Sequence, residues 1–196
     1  KLNVWTNGLA DGKKRPVMVW LHGGGFTNGN AIEQDGYHGE NISRLGNVVF
    51  VSINHRLGPF GYSHLKAAGG HPHSGNVGNL DMVAALEWVK NNISAFGGDP
   101  DNVTIAGQSA GAFSVNALVV SPKAKGLFHK AIAQSGGMFN RGTGLVSGLQ
   151  GAEERGKQLT DTLGISLADL RKIPADSLLK FHGRFGPVVD GKVFTN

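Results

Sequence analysis

The sequence contains no cysteine among its 196 residues. A chain without thiols forms no disulfide framework, binds no metal through thiolates and carries out no thiol redox chemistry. These functions are therefore excluded. The sequence leaves the compartment and the oligomeric state of the protein open.

Long hydrophobic runs are also missing. No apolar stretch approaches the roughly 20 residues that a helix needs to cross a bilayer, so we predict no membrane span. The first residues, Lys1 to Trp5, lack the apolar core and the small-residue cleavage site of a secretory signal.

Concentrated charge of one sign is absent as well. The chain has 19 basic and 14 acidic residues and a formal net charge of +5. Basic residues cluster only at Lys13-Lys14-Arg15 and at the pair Lys123 and Lys125. A nucleic-acid partner requires a continuous basic stripe or basic residues interleaved with aromatic ones. We therefore predict a solvated surface and no nucleic-acid partner.

Glycine, by contrast, is abundant with 31 residues, and the most informative glycines flank a serine. Residues 107–111 read Gly-Gln-Ser-Ala-Gly, between the β-branched run Val103-Thr104-Ile105 and a helix-compatible stretch over 110–120. This spacing is typical of a nucleophile elbow, where a tight turn lifts the serine hydroxyl clear of the backbone and leaves no room for neighbouring side chains. Ser109 is the candidate nucleophile, and the alternative is an ordinary serine at a helix start.

A second glycine motif, His22-Gly23-Gly24-Gly25-Phe26, follows the apolar run Val17 to Leu21. Consecutive glycines let a loop turn its N–H groups toward a developing negative charge, which acyl transfer at a serine requires. The alternative is a turn needed only for packing.

The order of the apolar segments predicts a parallel sheet. We predict strands over 16–21, 47–53, 103–106 and 131–133, a buried helix over 79–96, and shorter polar helices over 152–163 and 167–179. Alternating strands and helices favour parallel pairing, and functional residues then lie at the carboxyl ends of the strands. Both glycine motifs follow such ends and should face one another.

At this level of detail the sequence resembles the type B carboxylesterases, the α/β-hydrolase family that includes the cholinesterases and the bacterial para-nitrobenzyl esterases. The resemblance covers most of residues 1–140 and resumes at 186–191. The matching segments, in order, are residues 2–6, 16–26, 54–58, 75–81, 96–100, 103–111, 127–132 and 134–136.

The resemblance implies an α/β-hydrolase fold, with a mostly parallel sheet and helices on both faces, and hydrolysis of small-molecule esters without a cofactor or metal. It implies that Ser109 forms the acyl-enzyme and that the backbone N–H groups of Gly24, Gly25 and Ala110 form the oxyanion hole. It also implies a structural ion pair between Arg56 and Asp81 inside the domain. Two departures from the family pattern are Gln108, where Glu is usual, and His55, where Tyr is usual.

The family order places the triad acid and the general-base histidine beyond residue 196. We therefore expect residues 1–196 to be a single partial domain, truncated before its carboxy-terminal strands. Its parts are the core and elbow over 1–140, a connector with short helices over 141–185, and the start of the next core segment over 186–196. The isolated chain should show little or no turnover, and its ester substrate stays undetermined.

Four alternatives remain open. His182 offers a base within the chain, combined with an acid from the set Glu153, Glu154, Asp161, Asp169 and Asp176. His71-Pro72-His73 favours a solvent loop near the mouth of the site, with a metal site as the alternative, because no third ligand accompanies the pair. Phe26 and Phe113 either line a pocket or belong to the core. The whole protein is alternatively a non-catalytic binding or adhesion module.

Overall fold

The structure is a computed structural model that describes residues 1–66, 69, 72–137, 146–181 and 183–194. Its strands are β1 (Leu2–Trp5), β2 (Arg15–Leu21), β3 (Val49–Ile53), β4 (Gly98–Gln108), β5 (Lys130–Gln134), β6 (Ser147–Gly148) and β7 (Val188–Val189). Its α-helices are α1 (Glu40–Gly46), α2 (Gly58–Tyr62), α3 (Val77–Asn92), α4 (Ala110–Val120), α5 (Leu149–Leu163), α6 (Leu167–Leu170) and α7 (Ala175–Leu179). Short 3₁₀-helices lie at Asp35–Tyr37, Ser74–Asn76, Ile93–Phe96 and Pro122–Ala124.

The central sheet, over the described residues, has five strands in the order β1-β3-β2-β4-β5. β1 is antiparallel to β3, whereas the other neighbouring pairs are parallel. Leu21 lies opposite Ile53 on one side and Gly107 on the other, so β2, β3 and β4 end close together. The predicted mostly parallel sheet is confirmed, and the two glycine motifs follow neighbouring strands at one edge.

One face of the sheet packs against α3 and α4. Alternate positions of β2, β3 and β4 share a buried hydrophobic cluster with both helices. Its members include Val17, Val19, Leu21, Val49, Val51, Ile53, Met82, Leu86, Val89, Val103, Ile105, Val115 and Leu118. Because a fully buried Val or Leu contributes about 1.5–3 kcal/mol, this layer fixes the strands on which the motifs depend.

The opposite face has lighter cover. Alternate side chains of a strand point to opposite faces, so Trp20 and Phe50 lie on the side away from α3. Trp20 packs against Tyr37 with ring centroids 5.3 Å apart, and Phe50 packs against Trp5 at 5.8 Å. α1 contacts β3 as well. Cover on both faces is confirmed at β3, which is buried at all five positions, but Trp20 stays partly exposed.

The carboxy-terminal part joins the core through a buried amide. β6 and β7 form a short parallel pair, and Asn76 is completely buried beside it. The Asn76 Nδ2 donates to the Val188 carbonyl at 2.7 Å, and the Val188 N–H donates to Asn76 Oδ1 at 2.9 Å. Ser121 Oγ also donates to the Val193 carbonyl. Residues 188–193 are thereby anchored to the core.

The boundaries of several elements differ from the sequence prediction. β4 extends over Gly98–Gln108 rather than 103–106, because its beginning pairs with Arg15 of β2. The predicted helix over 167–179 is two helices, α6 and α7. The break precedes Pro174, which has an extended ψ of 142° and no N–H to continue a helix.

Candidate active site

Ser109 has a strained backbone between β4 and α4. Its φ is 55° and its ψ is −120°, and a positive φ is uncommon for a residue with a side chain. Its N–H donates to the Gln134 carbonyl at 2.9 Å, while its own carbonyl accepts from the N–H groups of Ala112 and Phe113 at 2.9 and 3.1 Å. Hydrogen bonds on both sides hold the turn, and Ser109 remains partly exposed.

The glycines around Ser109 have no space for a side chain. A Cβ on Gly107 would lie 2.5 Å from the carbonyl carbon of Gly111, and a Cβ on Gly111 would lie 2.0 Å from the Leu21 carbonyl oxygen. Both obstacles are backbone atoms, which cannot move aside as the end of a side chain can. The structure thus supplies the steric reason for the spacing of the Gly107–Gly111 motif.

The second motif forms a tight loop after β2. Three successive residues have positive φ: Gly24 at 102°, Gly25 at 62° and Phe26 at 63°. The Gly24 carbonyl accepts from the N–H groups of Thr27 and Asn28, both at 3.1 Å. A Cβ on Gly24 would lie 2.1 Å from the Asn28 carbonyl oxygen, so this conformation requires glycine.

The loop lies against the elbow. A Cβ on Gly23 would lie 3.4 Å from the Cβ of Ser109, which confirms that the two motifs meet. Within the described ranges, no backbone carbonyl accepts a hydrogen bond from the N–H groups of Gly24, Gly25 or Ala110. The Ala110 N–H also opens α4, at the end where the helix dipole places partial positive charge. These N–H groups are free to stabilise a negatively charged oxygen.

Arg56 and Asp81 make contact through three hydrogen bonds. The Asp81 carboxylate accepts from the Arg56 backbone N–H at 2.9 Å, from Nε at 2.8 Å and from Nη2 at 2.7 Å. Burial raises the pKa of Asp81, but the hydrogen bonds from Arg56 outweigh it, so the pKa lies below its usual value. The Arg56 side chain is 55% exposed, so the pair lies at the surface and ties the loop after β3 to α3.

Next to the glycine loop lies a pair of histidines that no sequence motif connects. The rings of His22 and His55 are stacked, with centroids 5.0 Å apart and planes 27° apart. His22 is 1% exposed and His55 is 9% exposed. Burial lowers the pKa of His55 to about 3, the nearby His22 lowers it further, and Asp81 opposes the shift. Only the register of β2 against β3 brings these positions together.

The Ser109 hydroxyl has no side-chain hydrogen-bond partner in the described part of the chain. There, neither a histidine nitrogen nor a carboxylate oxygen hydrogen-bonds to the Ser109 hydroxyl. His129 accepts from the Val103 N–H at 3.1 Å, and Val103 lies about 20 Å before Ser109 at roughly 3.3 Å per strand residue. His182 lies outside the described residues.

Two of the acids considered for a local triad have other partners. Glu153 Oε1 lies 3.7 Å from His64 Nε2, and Asp169 accepts from Ser166 Oγ and Lys172 Nζ at 2.6 and 3.0 Å. The local triad through His182 stays an untested alternative.

The suggested metal pair is not assembled as a site in the described residues. His73 Nδ1 lies 3.4 Å from Asp190 Oδ2, and His71 lies outside the described ranges. Among the residues that are described, no group of three His, Asp or Glu side chains has the arrangement of a metal site. No helix of this part is long and apolar enough to span a bilayer.

Phe26 and Phe113 belong to a buried cluster beside the elbow. They are 1% and 5% exposed and pack with Ala110, Tyr62 and Phe185, which favours the core interpretation. Next to them is a cavity of about 620 Å³. Its lining consists of Thr27, Asn28, Gly29, residues 55–60, Leu179, Phe181, Gly183 and Phe185.

Known proteins resemble this chain closely in sequence. A model of the carboxylesterase family matches residues 1–196. The para-nitrobenzyl esterase of Bacillus subtilis (strain 168) is 54% identical over 124 residues, which are 63% of this chain and 25% of that protein. Liver carboxylesterase 1F of Rattus norvegicus is 51% identical over 140 residues, which are 70% of this chain and 24% of that protein.

Solved structures share the fold. The Geobacillus stearothermophilus carboxylesterase EST55, crystallised at pH 6.2, has a TM-score of 0.88 and 45% identity, over 98% of this chain and 41% of its own. A thermophilic PNB esterase has a TM-score of 0.87 and 38% identity, over 100% of this chain and 42% of its own. The predicted α/β-hydrolase fold is confirmed. The chain spans about a quarter of the curated relatives and about two fifths of these structures.

Proposed function

The chain belongs to the carboxylesterase family, and we propose that it carries the nucleophile and the oxyanion hole of a serine ester hydrolase. Ser109 attacks the carbonyl carbon of a small-molecule carboxylic ester. The N–H groups of Gly24, Gly25 and Ala110 stabilise the negative oxygen that develops. No cofactor or metal takes part in these steps.

The observation that carries the proposal is the strained Ser109, with a φ of 55°, directly against a loop of positive-φ residues. Backbone strain of this kind persists only where the surroundings over-determine it, and it concentrates at functional sites. The free Ala110 N–H is expected at any helix start, but an elbow built only to connect β4 with α4 would not need a second loop beside it whose Gly24 and Gly25 N–H groups have no backbone acceptor in the described residues. Both features are expected of acyl transfer.

The reaction proceeds in two halves. In the first, the Ser109 oxygen bonds to the ester carbonyl carbon, a base removes the serine proton, and the alcohol leaves with a proton to give an acyl-enzyme. In the second, water attacks the acyl carbon and the carboxylic acid leaves Ser109. The oxyanion forms twice, so the same N–H groups act in both halves.

The base is proposed to be a histidine beyond residue 196, oriented by an acid that also lies there. Two observations support this arrangement: the described residues supply no proton acceptor to Ser109, and the chain spans 41% of the esterase EST55. Residues 1–196 are then part of one α/β-hydrolase domain, and the buried contact of Asn76 with Val188 joins its core to the segment that begins at residue 186.

The alternative of a non-catalytic binding or adhesion module finds no comparable support. Loss of catalysis removes the pressure to keep a serine at a strained elbow or glycines in a positive-φ loop. Ser109, Gly24 and Gly25 keep the geometry that acyl transfer needs.

Ester hydrolysis tests the proposal. The protein, expressed from its complete coding sequence, is assayed with a short-chain p-nitrophenyl ester. Ser109→Ala should lower kcat by about 10³-fold or more, because only residual catalysis survives the loss of a triad member. Ser94→Ala, at an exposed serine, is the matched control and should keep full activity. Equal turnover of Ser109→Ala and the unaltered protein would refute the proposal.

A further inference from the structure

The stacked rings of His22 and His55 contact the glycine loop through His22. His22 Nδ1 lies 2.8 Å from the Gly23 carbonyl oxygen, so this nitrogen carries a proton and donates. Gly29 approaches the same edge of the ring, because a Cβ on Gly29 would lie 2.7 Å from His22 Nδ1 and 2.7 Å from the Gly23 carbonyl oxygen. Both Gly23 and Gly29 of the loop therefore pack against the Nδ1 edge of His22.

The segment that carries His55 is tied to the same loop. Asn54 Oδ1 accepts from the Ala31 N–H at 2.9 Å, and the Gly58 N–H donates to the Phe26 carbonyl at 2.6 Å. These hydrogen bonds flank His55 on both sides. A displacement of His55 is thus transmitted to the loop through its backbone as well as through the stacked rings.

Within the described residues, the surroundings of His55 offer no hydrogen-bond acceptor to a second ring proton. Neither of its ring nitrogens has a hydrogen-bond partner within the described residues, and the same holds for His22 Nε2 and the Tyr62 hydroxyl. Tyr62, from α2, packs edge-on at 6.3 Å. Asp81, from α3, is the acid that acts on His55, but its carboxylate already accepts three hydrogen bonds from Arg56. A charged His55 would therefore lack an acceptor among the described residues as long as its ring nitrogens stay buried in the stack.

We propose that His55 is a positioning residue for the oxyanion loop, and that its neutral ring holds His22 and Gly23–Gly25 in place until acid protonates it. The role of the loop as an oxyanion hole rests on the proposed esterase function. The link between His55 and the loop can be tested without it. A free histidine titrates near pH 6.5, and burial lowers the pKa of His55 to about 3. Between these values the loosened loop binds more protons than the ordered one. The ratio of ordered to loosened loop therefore falls by up to about tenfold for each pH unit below roughly 6.5.

NMR tests the link without relying on activity. The amide signals of Gly24 and Gly25 and the Cε1 signal of His55 are followed from pH 8 to pH 4, with the sheet amides of Val51 and Ile105 as reporters of the core. We expect the two glycine signals to shift together with His55 in acid while the core signals stay native. His55→Phe and His55→Tyr keep a ring at this position, remove the titrating group and should abolish the glycine transition.

His38→Phe is the matched control, because His38 is exposed and packs on Trp5 at the far end of β1. It should leave the glycine transition unchanged. A glycine transition that persists in both His55 variants would overturn the proposal. Loss of loop and core signals in one step would also overturn it, because the loop would then not be the acid-sensitive element.

Labelling of the complete protein with a fluorophosphonate adds a kinetic readout. The His55→Phe variant should keep, at pH 5, an about threefold larger fraction of its pH 7.5 labelling rate than the unaltered protein does. If the labelling rates of the two proteins fell equally between pH 7.5 and pH 5, the positioning role of His55 would be contradicted. A Ser109 that stays unlabelled at every pH would overturn the esterase proposal instead, and the glycine signals would still decide the role of His55.

Discussion

The carboxyl ends of β2 and β4 differ sharply from β5, the next strand of the sheet. Around β2 and β4 the backbones are closely packed, because a Cβ on Gly107 would lie 2.5 Å from the Gly111 carbonyl carbon and a Cβ on Gly111 would lie 2.0 Å from the Leu21 carbonyl oxygen. β5 is exposed at all five positions, and over the described residues no strand pairs with its outer side. Among the described residues, contacts within the chain surround the first region, whereas none of these residues pairs with the outer side of β5.

This difference separates two parts of the proposed chemistry. In the proposal, nucleophile geometry and oxyanion stabilisation depend on backbone conformation. The strands and glycines of residues 15–111 determine it together with the hydrogen bonds of Ser109 to Gln134, Ala112 and Phe113. Proton transfer depends on side chains that reach Ser109 from elsewhere, and the described residues offer none. The described residues therefore fix the backbone around Ser109 by close packing but supply no side chain that hydrogen-bonds to its hydroxyl.

The largest loss of stability is expected where the backbones of β2 and α4 are in closest contact. Gly111→Ala places a Cβ 2.0 Å from the Leu21 carbonyl oxygen, so β2 and α4 must separate. We expect a loss of about 4 kcal/mol or more in the free energy of unfolding, at the upper end for single substitutions. Urea denaturation measures it. Gly12→Ala, at a positive φ with no atoms within 4 Å, should lose only about 1 kcal/mol from backbone strain.

Asn76 tests whether the carboxy-terminal segment depends on the core. Asn76→Ala removes both buried hydrogen bonds to the Val188 backbone and a third, longer one that Asn76 Oδ1 accepts from Asn79 Nδ2. We expect a loss of about 2–4 kcal/mol, with faster proteolysis at residues near Val188 than in the sheet. Asn92→Ala, which removes an exposed hydrogen bond to the Trp88 carbonyl, is the control and should change little. Equal effects of the two substitutions would contradict the anchoring role.

The ion pair of Asp81 with Arg56 should contribute less to stability than the buried contacts do. Asp81→Asn removes the charge that Arg56 contacts, and we expect a loss of about 1–2 kcal/mol near pH 7, reduced by the exposure of Arg56. Because the pKa of Asp81 is lowered in the folded protein, its stabilisation is present above about pH 4 and disappears as the pH falls through the lowered pKa.

Unfolding measured at pH 7 and pH 3 should therefore show a difference between Asp81→Asn and the unaltered protein that shrinks in acid. Lys172→Ala breaks an exposed ion pair with Asp169 and should lose no more than about 0.5 kcal/mol. A difference that grew in acid would contradict a stabilising role of ionised Asp81.

The smallest effect on stability is expected on the open side. Ile132 of β5 is 43% exposed, and Ile132→Lys should change the free energy of unfolding by less than about 0.5 kcal/mol. Exposed edge strands pair with other chains, and an edge lysine opposes this. Sedimentation of the 196-residue chain should show less self-association after the substitution. An unchanged sedimentation profile would mean that the chain does not self-associate through β5.

Much of this site was predictable because its causes are local in sequence. The elbow follows from the steric demands of Gly107 and Gly111, and the loop follows from three consecutive glycines. The order of the apolar runs placed both at the same edge of a parallel sheet, and the register of Leu21 with Gly107 confirms it. No such local signal exists for a base or an acid.

Other features depend on contacts that the sequence does not display. His22 stacks on His55 only because β2 and β3 are in register at Leu21 and Ile53. Asn76 reaches Val188 across more than half of the chain, and no periodicity predicts an amide so completely buried. The extension of β4 back to Gly98 depends on its pairing with Arg15 rather than on strand propensity.

Mapping the site of covalent labelling tests the central claim most directly. The protein from the complete coding sequence is treated with a fluorophosphonate, digested, and analysed by mass spectrometry. We expect a single adduct on Ser109, absent from Ser109→Ala and undiminished in Ser94→Ala. An adduct on another serine, or equal labelling of Ser109→Ala, would contradict the claim that the elbow carries the nucleophile.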